Sequence, residues 1–182
     1  MNLTLGSLRF VPASSRPDLL AAPVAAALAD PSWPLTAEDL GVTEIDPSLA
    51  DTAAFCERYG VAAAESANCV VISGRREGEV RYAACVILAT TRADVNGIGR
   101  RALDVRKASF AATDVAVEQT SMEYGGITPI GLPATWPVLV DAAVAAATQV
   151  IIGSGVRRSK LALSGKALAS LPGVRTIEGL GR

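Results

Sequence analysis

The feature that most constrains this chain is a succession of short apolar runs with little room for long helices between them. "NCVVISG" and "VRYAACVILA" flank the polar "RREGE" and predict a hairpin, roughly 69–72 paired with 80–88. "VRKASF", "PVLVD", "QVIIGSG", "SKLALS" and "VRTIEG" follow as further strands. The intervening segments predict short helices: "TDVAVEQTSM" with Thr113 as cap, "AAVAAAT", and "GKALASLPG" capped by Ser164. "TRADVNGIGRRALD" reads as a short helix or a loop, since Gly97 and Gly99 weaken a helix. Strands and helices do not alternate regularly enough for a doubly wound sheet. The expected class is mixed α/β, a barrel-like mixed sheet surrounded by short helices.

The chain has 182 residues, half of them hydrophobic, enough for one domain with a sizeable core and a small extension. Residues 1–45 are expected to form an N-terminal helical extension and connector, and 46–182 the main domain. "LLAAPVAAALAD" has some look of a signal peptide, but the prolines fit a helix opening at Ser15 with Pro17 in its first turn. "DPSWPLTAEDLG" is a connector. "DPSLADTAAFCERYG" predicts one helix, capped by Asp46 and stopped at Gly60.

Composition excludes several chemistries. There is no histidine, so no Ser-His-Asp triad, Cys-His dyad or histidine-ligated metal can exist. Cys56, Cys69 and Cys85 form no C-x-x-C pair, so neither a zinc site nor a disulfide framework is expected. A net charge of −1 argues against nucleic-acid binding by overall charge, though a local basic patch can still touch RNA. No apolar run reaches the length of a membrane span.

"MEYGGITPIGLP" is the one stretch whose composition suits neither strand nor helix. Gly125 and Gly126 permit close backbone approach, and Pro129 and Pro133 stiffen the segment. Two glycine N–H groups could face an oxygen that develops negative charge; a helix C-cap followed by a turn is the alternative. Asp141 follows an apolar strand, where it is a candidate ligand or a helix N-cap. Asn68 opens the first hairpin strand, a common place for a turn residue. The runs Arg100, Arg101, Arg106, Lys107 and Arg157, Arg158, Lys160 read as solvated surface. "IIGSGVRRSK" lacks the spacing of a phosphate-binding loop.

In "YGGITPIGL", "PVLVD", "VIIGSGVRRSKLALSGKAL", the hairpin and "DVRKASFA", the chain resembles the YbaK/EbsC group of aminoacyl-tRNA editing domains from about Phe55 to Leu180. The resemblance implies a metal- and cofactor-free deacylase. It would hydrolyse the ester of a mischarged tRNA in trans, in the cytoplasm, in transient contact with the tRNA acceptor end and with an aminoacyl-tRNA synthetase as possible partner. Backbone donors and a ribose hydroxyl would stand in for a protein nucleophile. Carried onto this sequence, the catalytic set is Gly125, Gly126, Asp141 and Asn68, with Tyr124, Thr128, Pro129, Gly131 and Lys107 as substrate contacts. The departure is Asn68, where the family has a lysine. A binding module for an acylated tRNA end, nucleotide or amino acid is the alternative function, and a small-ester hydrolase a second one.

Overall fold

In the computed structural model, which describes residues 3–182, ten strands form two five-stranded sheets. The first holds β1 (Leu3–Leu5), β2 (Leu8–Pro12), β3 (Gly41–Glu44), β8 (Val150–Gly153) and β9 (Ser159–Leu163), in the order β1-β2-β3-β9-β8. The second holds β4 (Ala67–Arg76), β5 (Glu79–Leu88), β6 (Ala108–Phe110), β7 (Val138–Asp141) and β10 (Val174–Ile177), in the order β10-β7-β5-β4-β6. The helices are α1 (Ala22–Ala29), α2 (Thr52–Tyr59), α3 (Arg100–Leu103), α4 (Thr113–Thr120), α5 (Ala142–Ala145) and α6 (Gly165–Ala169). None is long and apolar enough to cross a membrane.

The hairpin is the frame of the second sheet. β4 and β5 pair antiparallel from Ala67↔Leu88 to Arg76↔Glu79, so their turn is only Glu77-Gly78. β5 continues into β7 in parallel, and β7 into β10. Parallel strands are covered on both faces, which is why "VLVD" is buried throughout and reads as an uninterrupted apolar run. The second half of β5 shows no alternation for the same reason, with Ala83 to Ile87 all buried.

The N-terminal residues are less helical than their sequence suggests. Three strands come from them, and β3 pairs with β9 from Gly41↔Ala162 to Glu44↔Ser159. The helix expected from Ser15 begins at Ala22, with Pro23 in its first turn, after two short 3-10 turns. The helix expected over 46–60 also breaks: Asp46 caps a 3-10 turn at Pro47–Leu49, and α2 starts only at Thr52. Ala112, not Thr113, precedes the first turn of α4.

The sheets meet along β4. Its far half, Ile72–Gly74, pairs with β6. Just before its start, Ser66 bridges Ile151 of β8 in parallel. β6 and β8 therefore diverge from the same side of β4, and 67–70 lie in the gap between them.

Candidate active site

That gap opens into a cavity of about 570 Å³, within the range of small-molecule sites. Asn68, Cys69 and Val70 of β4 form its floor, Gly153 of β8 and Lys160 of β9 one wall, and Phe110 and Ala111 at the end of β6 the other. Asp51 and Thr52 close it from the start of α2, and Tyr124 and Gly125 from the glycine loop.

Lys160 is the feature that sequence reasoning missed. Its place in a basic run with Arg157 and Arg158 suggests solvated surface, yet it is only 8% exposed. β9 is a central strand between β3 and β8, and all five of its residues are buried. "SKLAL" carries a signal only once β9 is seen paired on both edges: a lysine inside a strand buried on both faces cannot reach water by turning over. Its ammonium donates to the Ala50 carbonyl at 3.0 Å and sits 5.2 Å from the centre of the Phe55 ring. Ala50 lies at the break between the 3-10 turn and α2, where a carbonyl is left free to accept. Among the described residues no carboxylate pairs with Lys160 within ion-pair distance. Burial, then the Arg157 charge, lowers its pKa to about 8, against a weaker opposing pull from Asp51.

The glycine loop is stitched to the chain after β8. The Glu123 N–H donates to the Gly155 carbonyl and the Gly155 N–H to the Gly126 carbonyl, each at 2.8 Å. Arg157 reinforces the seam: its guanidinium donates to the carbonyls of Pro47 and Tyr124, both at 3.1 Å, and pairs with Asp51 at 3.4 Å. One arginine thus ties the loop to the α2 leader across the cavity mouth.

The expected site residues divide. Asn68, Tyr124 and Gly125 line the cavity together. Asn68 accepts a hydrogen bond from the Thr52 hydroxyl at 2.6 Å, which fixes its amide oxygen toward α2. Gly125 has φ +78°, a conformation that suits glycine. Gly126 turns away: its N–H donates to the Glu123 carbonyl at 2.9 Å, and a Cβ there would lie 2.6 Å from the Val156 backbone. Its glycine is a packing requirement.

The remaining residues lie elsewhere. Asp141 fills the capping alternative: it accepts from the Ala143 N–H at 2.9 Å and from the Gly181 N–H at 2.8 Å, tying the C-terminal residues to α5. Thr128 is fully buried, with a hydroxyl that has no partner among the described residues. Pro129 is buried, and Gly131 packs against the Pro23 backbone of α1. Lys107 is exposed, just before β6. None of these five lines the cavity.

The model of the aminoacyl-tRNA editing domain matches residues 46–171. The chain belongs to that family. Three solved structures share the fold at 20% identity. A candidate trans-editing enzyme for prolyl tRNA synthetase has a TM-score of 0.71 over 87% of this chain and 94% of its own. A scaffold used for epitope backbone grafting has 0.71 over 87% and 95%. A hypothetical protein has 0.66 over 83% and 92%. No curated protein sequence matches. The matched segment of the editing domain begins just after β3, so the strands at 3–44 build the wall behind Lys160 from outside it.

Cys69 and Thr52, the thiol and the hydroxyl beside Asn68, are not activated as nucleophiles. Burial drives the Cys69 thiol pKa well up, so it stays protonated. The Thr52 hydroxyl donates to an amide oxygen, which cannot take its proton. What the cavity offers is one buried cation, the Asp51 carboxylate held by Arg157 at its mouth, amide groups and an apolar wall of Ala67, Val71, Ala116 and Ile127.

Proposed function

We propose that this editing domain hydrolyses the ester between a mischarged amino acid and the 3′-terminal ribose of a tRNA, acting in trans in the cytoplasm. The observation that carries the reading is Lys160, a buried ammonium without a carboxylate partner in a cavity of about 570 Å³. A buried cation left unpaired costs stability, and an anionic group entering the cavity would offset that cost.

In this reading water is the nucleophile, oriented by the neighbouring hydroxyl of the terminal ribose. It attacks the ester carbonyl, and the carbonyl oxygen becomes an oxyanion. Lys160 and the Gly125 backbone supply positive charge and a donor where that charge develops. Collapse expels the ribose oxygen, which takes up the proton lost by water. The Asn68 amide, held by Thr52, orients the ribose. The apolar wall favours an uncharged acyl group. Positioning and electrostatics supply the rate, without an activated side chain. The fold shared with a candidate trans-editing enzyme for prolyl tRNA synthetase supports action on a released tRNA, with the synthetase as the partner that generates the error.

Deacylation across a panel of mischarged tRNAs tests the proposal. Release of at least one amino acid, well above the uncatalysed rate and at catalytic enzyme concentration, is expected. Tight binding of an acylated tRNA with no release from any member would replace the hydrolase with a binding module.

A further inference from the structure

We propose that the edge formed by β6 and the tip of the β4–β5 hairpin docks the phosphate backbone of the acceptor stem, while the single-stranded 3′ end stacks on Phe110 and enters the cavity. The inference rests on the tRNA reading above and extends it to a second surface.

Charge is segregated in this chain. Between 75 and 107 it carries eight basic and four acidic residues, against totals of 17 and 18. This stretch is therefore positive in a chain whose net charge is −1. Several of these residues border one hollow of about 660 Å³, with Arg75, Arg76, Arg100 and Arg106 around it. Asp104 is drawn to Arg76 and Arg81. That leaves Arg75, Arg100 and Arg106 without a carboxylate partner among the described residues. Glu77 and Asp104 also line the hollow, but both pair with Arg76, and Asp104 with Arg81 as well, so the arginines outnumber the acids there. A surplus of arginines on a concave surface suits a polyanion, and their planar forks match phosphate.

The hollow is joined to the cavity by a strand. β6 is an edge strand, with Phe110 at its cavity end and Arg106 two residues before its other end. At about 3.3 Å per residue, Phe110 and Arg106 are at most ~13 Å apart. Ser109 and Lys107 between them are exposed. Phe110 is 60% exposed and Tyr124 57%, the most exposed large apolar side chains among the described residues, and both line the cavity. Exposed aromatics beside a basic groove are the usual platform for unpaired bases. A polymer entering from the hollow meets cations first, an aromatic face next and the Lys160 cavity last. That order suits a duplex ending in a short single strand.

Binding of uncharged tRNA to the full chain, measured at several salt concentrations, reads this surface without requiring hydrolysis. Arg75→Ala/Arg106→Ala is expected to weaken binding and to flatten the slope of log K against log salt by about 1.5, since each lost phosphate contact removes ~0.7–0.9. Arg75→Glu/Arg106→Glu should weaken it further. Phe110→Ala should lower affinity about tenfold, leaving the slope unchanged, because stacking releases no counterions. On charged tRNA the arginine pair should raise KM with kcat retained. An unchanged slope in both arginine variants, or a parent chain that does not bind tRNA at low salt, overturns the proposal. Hydrolysis of an aminoacyl-adenosine, too short to reach the hollow, reads the cavity alone. Arginine-dependent tRNA binding without any hydrolysis would leave this surface standing and remove the deacylase. Hydrolysis with unaltered binding in the arginine variants would do the reverse.

Discussion

Lys160 on β9 and Asn68 on β4 face one cavity from two different sheets. They meet there because β4 is paired with β6 only over Ile72–Gly74, so its first residues stand open toward β8 and β9. The cavity thus takes its amide from one sheet and its buried cation from the other.

Lys160 should be costly to the fold and valuable to the reaction. Its pKa of about 8 lies below the ordinary 10.5, a difference of roughly 3 kcal/mol against the charged buried form. Lys160→Met keeps the chain length and removes the charge. Chemical denaturation should show unchanged or increased stability, by up to ~3 kcal/mol. Deacylation should fall about a hundredfold, as when one oxyanion donor is removed. Parallel losses of stability and activity would mean that Lys160 is structural, held for its bond to Ala50.

The same lysine sets a pH dependence. Below about pH 8 Lys160 is protonated folded or unfolded, and its contribution to the pH slope of stability is flat. Between about 8 and 10.5 the unfolded chain holds the proton and the folded chain does not. Stability from this group therefore rises with pH across that window. Activity should run the opposite way, because the cation disappears. After subtraction of spontaneous ester hydrolysis, kcat/KM should decline above about pH 8 in the parent, and the decline should vanish in Lys160→Met.

The strands from 138 onward were legible because apolar runs bounded by glycine, proline and capping serines leave few alternatives. The Ser164 hydroxyl does accept from the Ala167 N–H, as its position before "GKALA" implies. The site was legible only in part. Local sequence marks the glycine loop, but which glycine faces the cavity depends on what packs behind it. Gly126 is set against Val156, far along the chain, so its neighbour Gly125 takes the cavity wall. Asp141 shows the same limit, since capping α5 and holding Gly181 occupy both oxygens. Lys160 was hidden by its charged neighbours: in a row of basic residues, only pairing of β9 on both edges reveals which one is enclosed.

Gly126→Ala therefore tests packing. Its Cβ would meet backbone atoms of Val156 well inside contact distance, and backbone cannot swing aside as a side chain can. A loss of about 1–3 kcal/mol is expected, as for other overpacked sites. Melting temperature and deacylation should fall together, with activity recovering at lower temperature as the folded fraction is restored. Lost activity at unchanged melting temperature would return Gly126 to the catalytic set.

If position matters less than charge, the cation can be moved to β4. In the Lys160→Met background, Asn68→Lys would place an ammonium on the cavity floor with no second cation beside it. The change removes the acceptor for the Thr52 hydroxyl, so some loss of ribose positioning should persist. Burial on β4 is also shallower, since Asn68 is partly exposed whereas Lys160 is enclosed. A less desolvated lysine keeps a more ordinary pKa. The double variant should therefore recover part of the activity lost in Lys160→Met, about tenfold for a cation restored near the oxyanion. Its decline at alkaline pH should begin higher than the parent's. Asn68→Lys alone should do worse than the parent, because two like charges in one cavity each disfavour the other's protonation. No recovery in the double variant, alongside an intact fold, would show that the reaction needs the cation from the β9 wall, where it bonds Ala50.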